Sequence, residues 1–273
     1  MASYWETRQA KAQANLTNKN VKETQKQLRK YYKKTFEKTL DNFEKTYLKI
    51  LQRIEEGKEP TPADLYKLDT YWELQNQLTK ELQELGDKQI TLLSKQFMNE
   101  YMAVYDSFAI KGQEAFKTLD TALAKTMINE IWCADGKSWS DRIWTNSKKL
   151  QQALNDRLIT CAIAGTPSGE LKKHLMEEFD VSYGRANRIV RTEMAHLQTQ
   201  AAQHRYKDYG LEYYEILGNE DNSCGNHSPD CAKLHGKRFK LKEMKVGENA
   251  PPFHPNCKCC IVPVVELKNF SQN

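Results

Sequence analysis

Between Leu28 and Ile54 an apolar residue returns every three or four positions: Leu28, Tyr32, Phe36, Leu40, Phe43, Tyr47, Ile50 and Ile54. This spacing places all eight on one stripe of a helix about seven turns long, since side chains three and four apart share a helix face. The other face is lysine and glutamate. A helix of this length cannot satisfy its stripe against a short neighbour, so it demands long partners. It stops at Glu55-Glu56-Gly57-Lys58-Glu59-Pro60-Thr61-Pro62, where two prolines and a glycine cannot extend the hydrogen-bond ladder.

The partners follow. Thr61-Pro62-Ala63-Asp64 reads as a cap with proline in the first turn. Leu65, Leu68, Tyr71, Trp72, Leu78, Leu82 and Leu85 then form a second stripe. Gly86-Asp87 predicts an interruption or kink, and Ile90, Leu93, Phe97, Tyr101, Val104, Tyr105 and Phe108 resume the spacing. Further helices are predicted over 118–131, through Leu150, Leu154, Leu158 and Ile159, through Leu171, Leu175, Met176 and Phe179, and from Ser182 to about Tyr209. Gly165-Thr166-Pro167-Ser168 separates two of them and Gly210 caps the last.

Past Gly210 the period changes. Leu211–Leu217 and Cys260–Val265 are rich in branched and aromatic residues over short spans, and Lys237-Arg238-Phe239 offers a third strand. The expected fold is mainly α, with long antiparallel helices followed by a small C-terminal α+β module. The expected segments are a flexible basic arm over 1–20, a long helical hairpin region over 21–117, a helical linker region over 118–180, the C-terminal module over 181–266, and a tail over 267–273.

Charge is uneven. Residues 1–60 hold 14 Lys/Arg against 8 Asp/Glu, about the whole basic excess of a chain whose net charge is +5. Lys30, Lys33, Lys34, Arg185, Arg188 and Arg191 are therefore the candidates for contact with DNA or an acidic partner, beside the plainer reading of a solvated lysine-rich face. No apolar run reaches the roughly 20 residues that cross a bilayer, and no secretory signal opens the chain, so a soluble, cytoplasmic product without a membrane span is expected.

Five of seven cysteines and three of six histidines lie in the last sixty residues. Cys224, Cys231, His254, Cys257 and Cys259, with His227 as an extra, are the candidate metal ligands. Structural zinc takes four N or S ligands, often one closely spaced set joined to a distant one. Zinc here would tie the Asp221 loop to the C-terminal strand and supply folding energy to a module with a small core. Two other arrangements fit the same residues: packed small thiols with His254-Pro255 shaping a turn, or a disulfide from Cys224 or Cys231 to the terminal cysteines. A catalytic thiol is the sharpest alternative, but no nucleophile elbow, phosphate-cradling glycine loop or His-Glu-x-x-His helix accompanies it, and no enzyme activity is expected.

The ordered motifs Arg188-Ile189-Val190-Arg191-Thr192-Glu193, Asp221-Asn222-Ser223-Cys224, Leu234-His235-Gly236-Lys237 and His254-Pro255-Asn256-Cys257-Lys258-Cys259 resemble the Mu F-type minor head protein domain of the phage head morphogenesis family, over roughly 180–266. The segment Trp132–Asn146 is similar to the helical region that precedes this domain. Two features depart from the pattern: six residues separate Cys224 from Cys231 where the family has two, and Lys258 stands for the usual arginine. The resemblance implies a virion protein at the head interior or portal vertex, present in the host cytoplasm during assembly. Its implied partners are the portal protein, the major capsid or scaffolding protein, and packaged double-stranded DNA, with roles in head assembly and in DNA packaging, retention or delivery. The alternative is an effector enzyme such as a nuclease, or a DNA-binding protein, delivered with the genome.

Overall fold

The structure is a computed structural model and describes residues 4–53, 61–108, 121–133, 135–218 and 229–265. Seven helices lie among these residues: α1 (Tyr4–Arg53), α2 (Pro62–Tyr66), α3 (Asp69–Ser107), α4 (Thr121–Ile128), α5 (Trp139–Ala164), α6 (Ser168–Asp208) and α7 (Pro229–Leu234). Strands β1 (Tyr213–Leu217), β2 (Arg238–Lys240) and β3 (Cys260–Val264) form one antiparallel sheet in the order β2-β1-β3. The chain is thus mainly α with a small C-terminal α+β part. No described helix is long and apolar enough to cross a membrane.

The chain divides into two compact units, one of Met1–Thr24, Leu93–Trp139 and Arg188–Asn273, the other of Gln25–Leu92 and Ser140–Asn187. In the second unit α1 buries Leu28, Tyr32, Phe43, Tyr47 and Ile50, and α3 buries Leu74, Leu78, Leu82 and Leu85. α5 contributes Ile143, Leu150, Leu154 and Leu158, and α6 adds Leu171, Leu175 and Phe179. Each such side chain adds about 1.5–3 kcal/mol when withdrawn from water. Polar side chains set the register. The buried Glu81 accepts hydrogen bonds from Thr39 (2.7 Å) and Asn42 (2.5 Å), and Asn146 donates to the Ser182 carbonyl at 2.8 Å.

The first unit repeats this device. Thr17 and Asn20, again three residues apart on α1, donate to the two carboxylate oxygens of the buried Glu100 on α3, Asn20 at 2.6 Å. Burial raises the Glu100 carboxyl above its ordinary range against the pull of these donors. α6 closes the unit: Tyr101 meets His204 at 3.1 Å, Tyr105 donates to Asp208, and Tyr209 donates to the Phe108 carbonyl at 2.9 Å. The sheet packs on the start of α1, where Ala10 and Ala14 touch Cys260, Val262 and Leu217.

Four expectations are corrected. The stretch 1–20 is not a flexible arm where it is described: it is helical from Tyr4, with Ala10, Gln13 and Thr17 buried, because small and polar residues rather than large apolar ones carry its contacts. α3 runs unbroken through Gly86-Asp87, and Gly86 serves instead to admit Trp144, whose ring lies 2.3 Å from where a Cβ would stand. α6 is one helix from Ser168 through Gly184 to Asp208, where two were predicted. Trp72 and Met176, counted in apolar stripes, are 52% and 47% exposed.

Candidate metal centre

Strand alternation selects which thiols meet. β3 opens at Cys260, whose side chain enters the apolar cluster with Ala10 and Val262, two residues on along the same face. Burial lifts this thiol to about 12, and the neighbouring Cys257 adds to the rise. Cys259 is instead buried with Cys257, Cys231 and the half-buried Phe253. Cys231 comes from α7. The three sulphurs of Cys231, Cys257 and Cys259 all lie within 4.8 Å of one another.

His254 stands at the Cys231 edge of this trio. Its Nε2 stands 3.2 Å from the Cys231 sulphur and its Nδ1 is 2.8 Å from the Pro255 carbonyl oxygen. A carbonyl only accepts, so Nδ1 carries the ring proton and Nε2 presents a lone pair. This is the arrangement of a metal-ligating histidine, whose second nitrogen is oriented by a carbonyl. A hydrogen bond from Cys259 pulls the Cys257 thiol down to about 6, helped by backbone groups of Phe253 and Cys259, against the effect of burial. The thiolate form is the one that binds metal.

α6 supports this turn. Asn256 lies in the left-handed region at φ 64°, between His254 and Cys257, and the Cys257 N–H closes back on the His254 carbonyl at 3.1 Å. The Asn256 N–H donates to Thr192 Oγ at 3.2 Å, and Thr192 in turn donates to the Arg188 carbonyl at 2.7 Å. Two motifs far apart in sequence, Arg-Thr-Glu and His-Pro-Asn-Cys, therefore meet through Thr192 and Asn256. The adjoining Glu193 accepts from the Trp132 indole at 2.9 Å, and Trp132 stacks on His196 with ring centres 4.4 Å apart. His196 is buried and held down to about 3 by desolvation.

Residues 152–262 match a family model described as phage Mu protein F like protein. This segment is similar to the phage Mu protein F-like family. It starts in α5 and ends in β3, so it contains Thr192, Cys231, His254, Cys257 and Cys259 and reaches further towards the N-terminus than the motifs alone indicated. No curated protein and no solved structure matches the chain.

Of the predicted ligands the Mu F-like segment thus brings together Cys231, Cys257 and Cys259, with His254 beside Cys231. Cys224 and His227 lie outside the described residues. Three thiols and an imidazole form a soft N/S donor set suited to a four-coordinate metal such as zinc. None of the six cysteines among the described residues is joined in a disulfide. The basic candidates are divided: Lys30, Lys33, Lys34 and Arg185 fall in the second unit, and Arg188 and Arg191 in the first. Arg191 donates to Asn18 at 2.8 Å, a contact that joins α6 to α1 within the first unit. Sequence reasoning missed the roles of Thr192, Trp132 and His196. The Arg-Thr-Glu motif was the available signal for the first, and its hydroxyl residue is the one that reaches the metal-site turn.

Proposed function

We propose that this protein is a minor head component of a tailed bacteriophage that works by binding rather than turnover, with a C-terminal module stapled by structural zinc. The family match over 152–262 carries the head morphogenesis reading. Cys231, Cys257, Cys259 and His254 would hold the zinc, tying α7 to the approach to β3, and the ion would supply cross-linking energy that three short strands cannot. The convergence of three thiols favours this over a thiol enzyme, which needs one accessible nucleophile and its base.

The protein would stand at the portal vertex or head interior, with portal and capsid or scaffolding proteins as partners. Lys30, Lys33, Lys34, Arg185 and Arg188 are the residues proposed to meet acidic partners or packaged DNA. The test is fractionation of an assembling phage lysate, with the protein followed by quantitative mass spectrometry through purified heads and portal complexes. Co-purification with heads at a fixed ratio to portal is expected. Recovery wholly in the free fraction overturns the reading.

A further inference from the structure

Three consecutive residues of α6 hold three different parts of the first unit. Arg191 donates to the Asn18 side chain of α1 at 2.8 Å, Thr192 accepts from the Asn256 N–H at 3.2 Å, and Glu193 accepts from the Trp132 indole at 2.9 Å. Successive residues of a helix project about 100° apart, so a single turn can reach three neighbours. The Arg191 and Glu193 contacts fix α6 from two sides. The Thr192 contact leads to the thiols, because Asn256 immediately precedes Cys257 in the chain.

The hydroxyl decides what this contact can be. A threonine in a helix commonly returns its hydrogen to the carbonyl four residues back, and Thr192 donates to the Arg188 carbonyl at 2.7 Å. With its hydrogen placed there, Oγ meets other groups only as an acceptor. Within the metal-site turn the His254 carbonyl receives the Cys257 N–H at 3.1 Å, while the Asn256 N–H goes outside the turn, to Thr192. The two sides of the thiol trio thus have separate anchors. On the Cys231 side, the residues that follow α7 are tied to β1 and its end: the Gly236 N–H donates to the Ile216 carbonyl at 2.8 Å, and the Gly218 N–H donates to His235 Nδ1 at 3.1 Å. On the Cys257 side the anchor is Thr192.

We infer that Thr192 is a positioning residue of the thiol trio: acting through the Asn256 backbone, it holds the turn that sets Cys257 beside Cys231 and Cys259, so that zinc binds without first ordering that turn. The inference rests on the reading of the trio as a zinc site. Outer supports of this kind orient ligands before the metal arrives, and a pre-ordered site avoids the cost of ordering on binding.

The test measures zinc affinity of the full chain by competition with a chromophoric chelator under reducing conditions, with cobalt(II) as a spectroscopic stand-in. Thr192→Val keeps the shape of the side chain without its hydroxyl, Thr192→Ala makes the same deletion with a better helix former, and Thr192→Ser keeps the hydroxyl. The valine and alanine variants should bind zinc about tenfold or more weakly than wild type and change the thiolate-to-cobalt charge-transfer band, and the serine variant should restore both. Asn18→Ala, which cuts the neighbouring Arg191 contact, should leave zinc affinity at the wild-type value. A wild type that takes up zinc no more tightly than the two hydroxyl-free variants overturns the inference and leaves the zinc reading standing. So does an Asn18→Ala variant as weak as Thr192→Val, since the effect would then be a general loosening of α6. A wild type that binds neither zinc nor cobalt overturns both.

Discussion

His254 Nε2 lies 3.2 Å from the Cys231 sulphur although twenty-three residues separate them in the chain. The Pro255 carbonyl holds the ring proton on Nδ1, so this contact offers the sulphur a lone pair rather than a second hydrogen. Three sulphurs converge, and an imidazole fixed from behind meets one of them, which is how a metal-ligating histidine is oriented.

Asn256 sets the turn. A left-handed backbone costs an L residue roughly 1–2 kcal/mol, which asparagine tolerates better than most and glycine does not incur. Asn256→Gly should therefore leave stability within a few tenths of a kcal/mol and retain the bound metal, since the backbone N–H that meets Thr192 remains. Asn256→Val should cost about 2 kcal/mol or more and lower metal occupancy. Urea unfolding with metal analysis on both variants measures the two effects.

His196 imposes a pH dependence of known sign. Its folded value, about 3, lies below the 6.5 of the ordinary side chain, so between these values the unfolded chain takes up a proton that the folded protein refuses. Stability is whole above about pH 6.5 and falls with acid by about 1.4 kcal/mol per pH unit through this window. The ring nitrogens have no hydrogen-bond partner among the described residues, so His196→Phe sacrifices no bond there and can keep the stack on Trp132. The variant should match wild type within about 1.5 kcal/mol at neutral pH and lose this acid slope. Chemical denaturation at several pH values reads the difference.

Gly86 has its use in space rather than in flexibility. A Cβ there would stand 2.3 and 2.6 Å from two carbons of the Trp144 ring. Gly86→Ala gains up to about 1 kcal/mol of helix propensity but forces an overpacked contact that costs roughly 1–3 kcal/mol. Net destabilisation is expected, seen as a lower urea midpoint. Combining it with Trp144→Leu should cost less than the sum of the two single changes, because the clash disappears with the ring.

How much of this was legible in the sequence depended on which force carries each residue. The stripe from Leu28 to Ile50 was plain because burial of large apolar side chains writes a 3.6 period into the chain. The opening of α1 was not, because Ala10, Gln13 and Thr17 pack by small size and hydrogen bonds, which leave no such period. Gly86 read as a break since its partner, Trp144, belongs to another helix. The cysteine types announced metal or thiol chemistry, and the three strands were found in their places. Yet Cys259 and Cys260 are adjacent and differ wholly in environment, because successive strand residues face opposite ways and only the sheet's packing on Ala10 decides which face is apolar.

The most direct measurement is metal content of the full chain purified under reducing conditions, read by mass spectrometry alongside Cys231→Ser, Cys257→Ser and Cys260→Ser. One zinc per chain is predicted for wild type and for Cys260→Ser, whose side chain lies in the apolar cluster, with loss of the ion and of thermal stability in the other two. A wild-type protein that is fully folded and metal-free, and stays metal-free when zinc is supplied, would contradict the zinc staple.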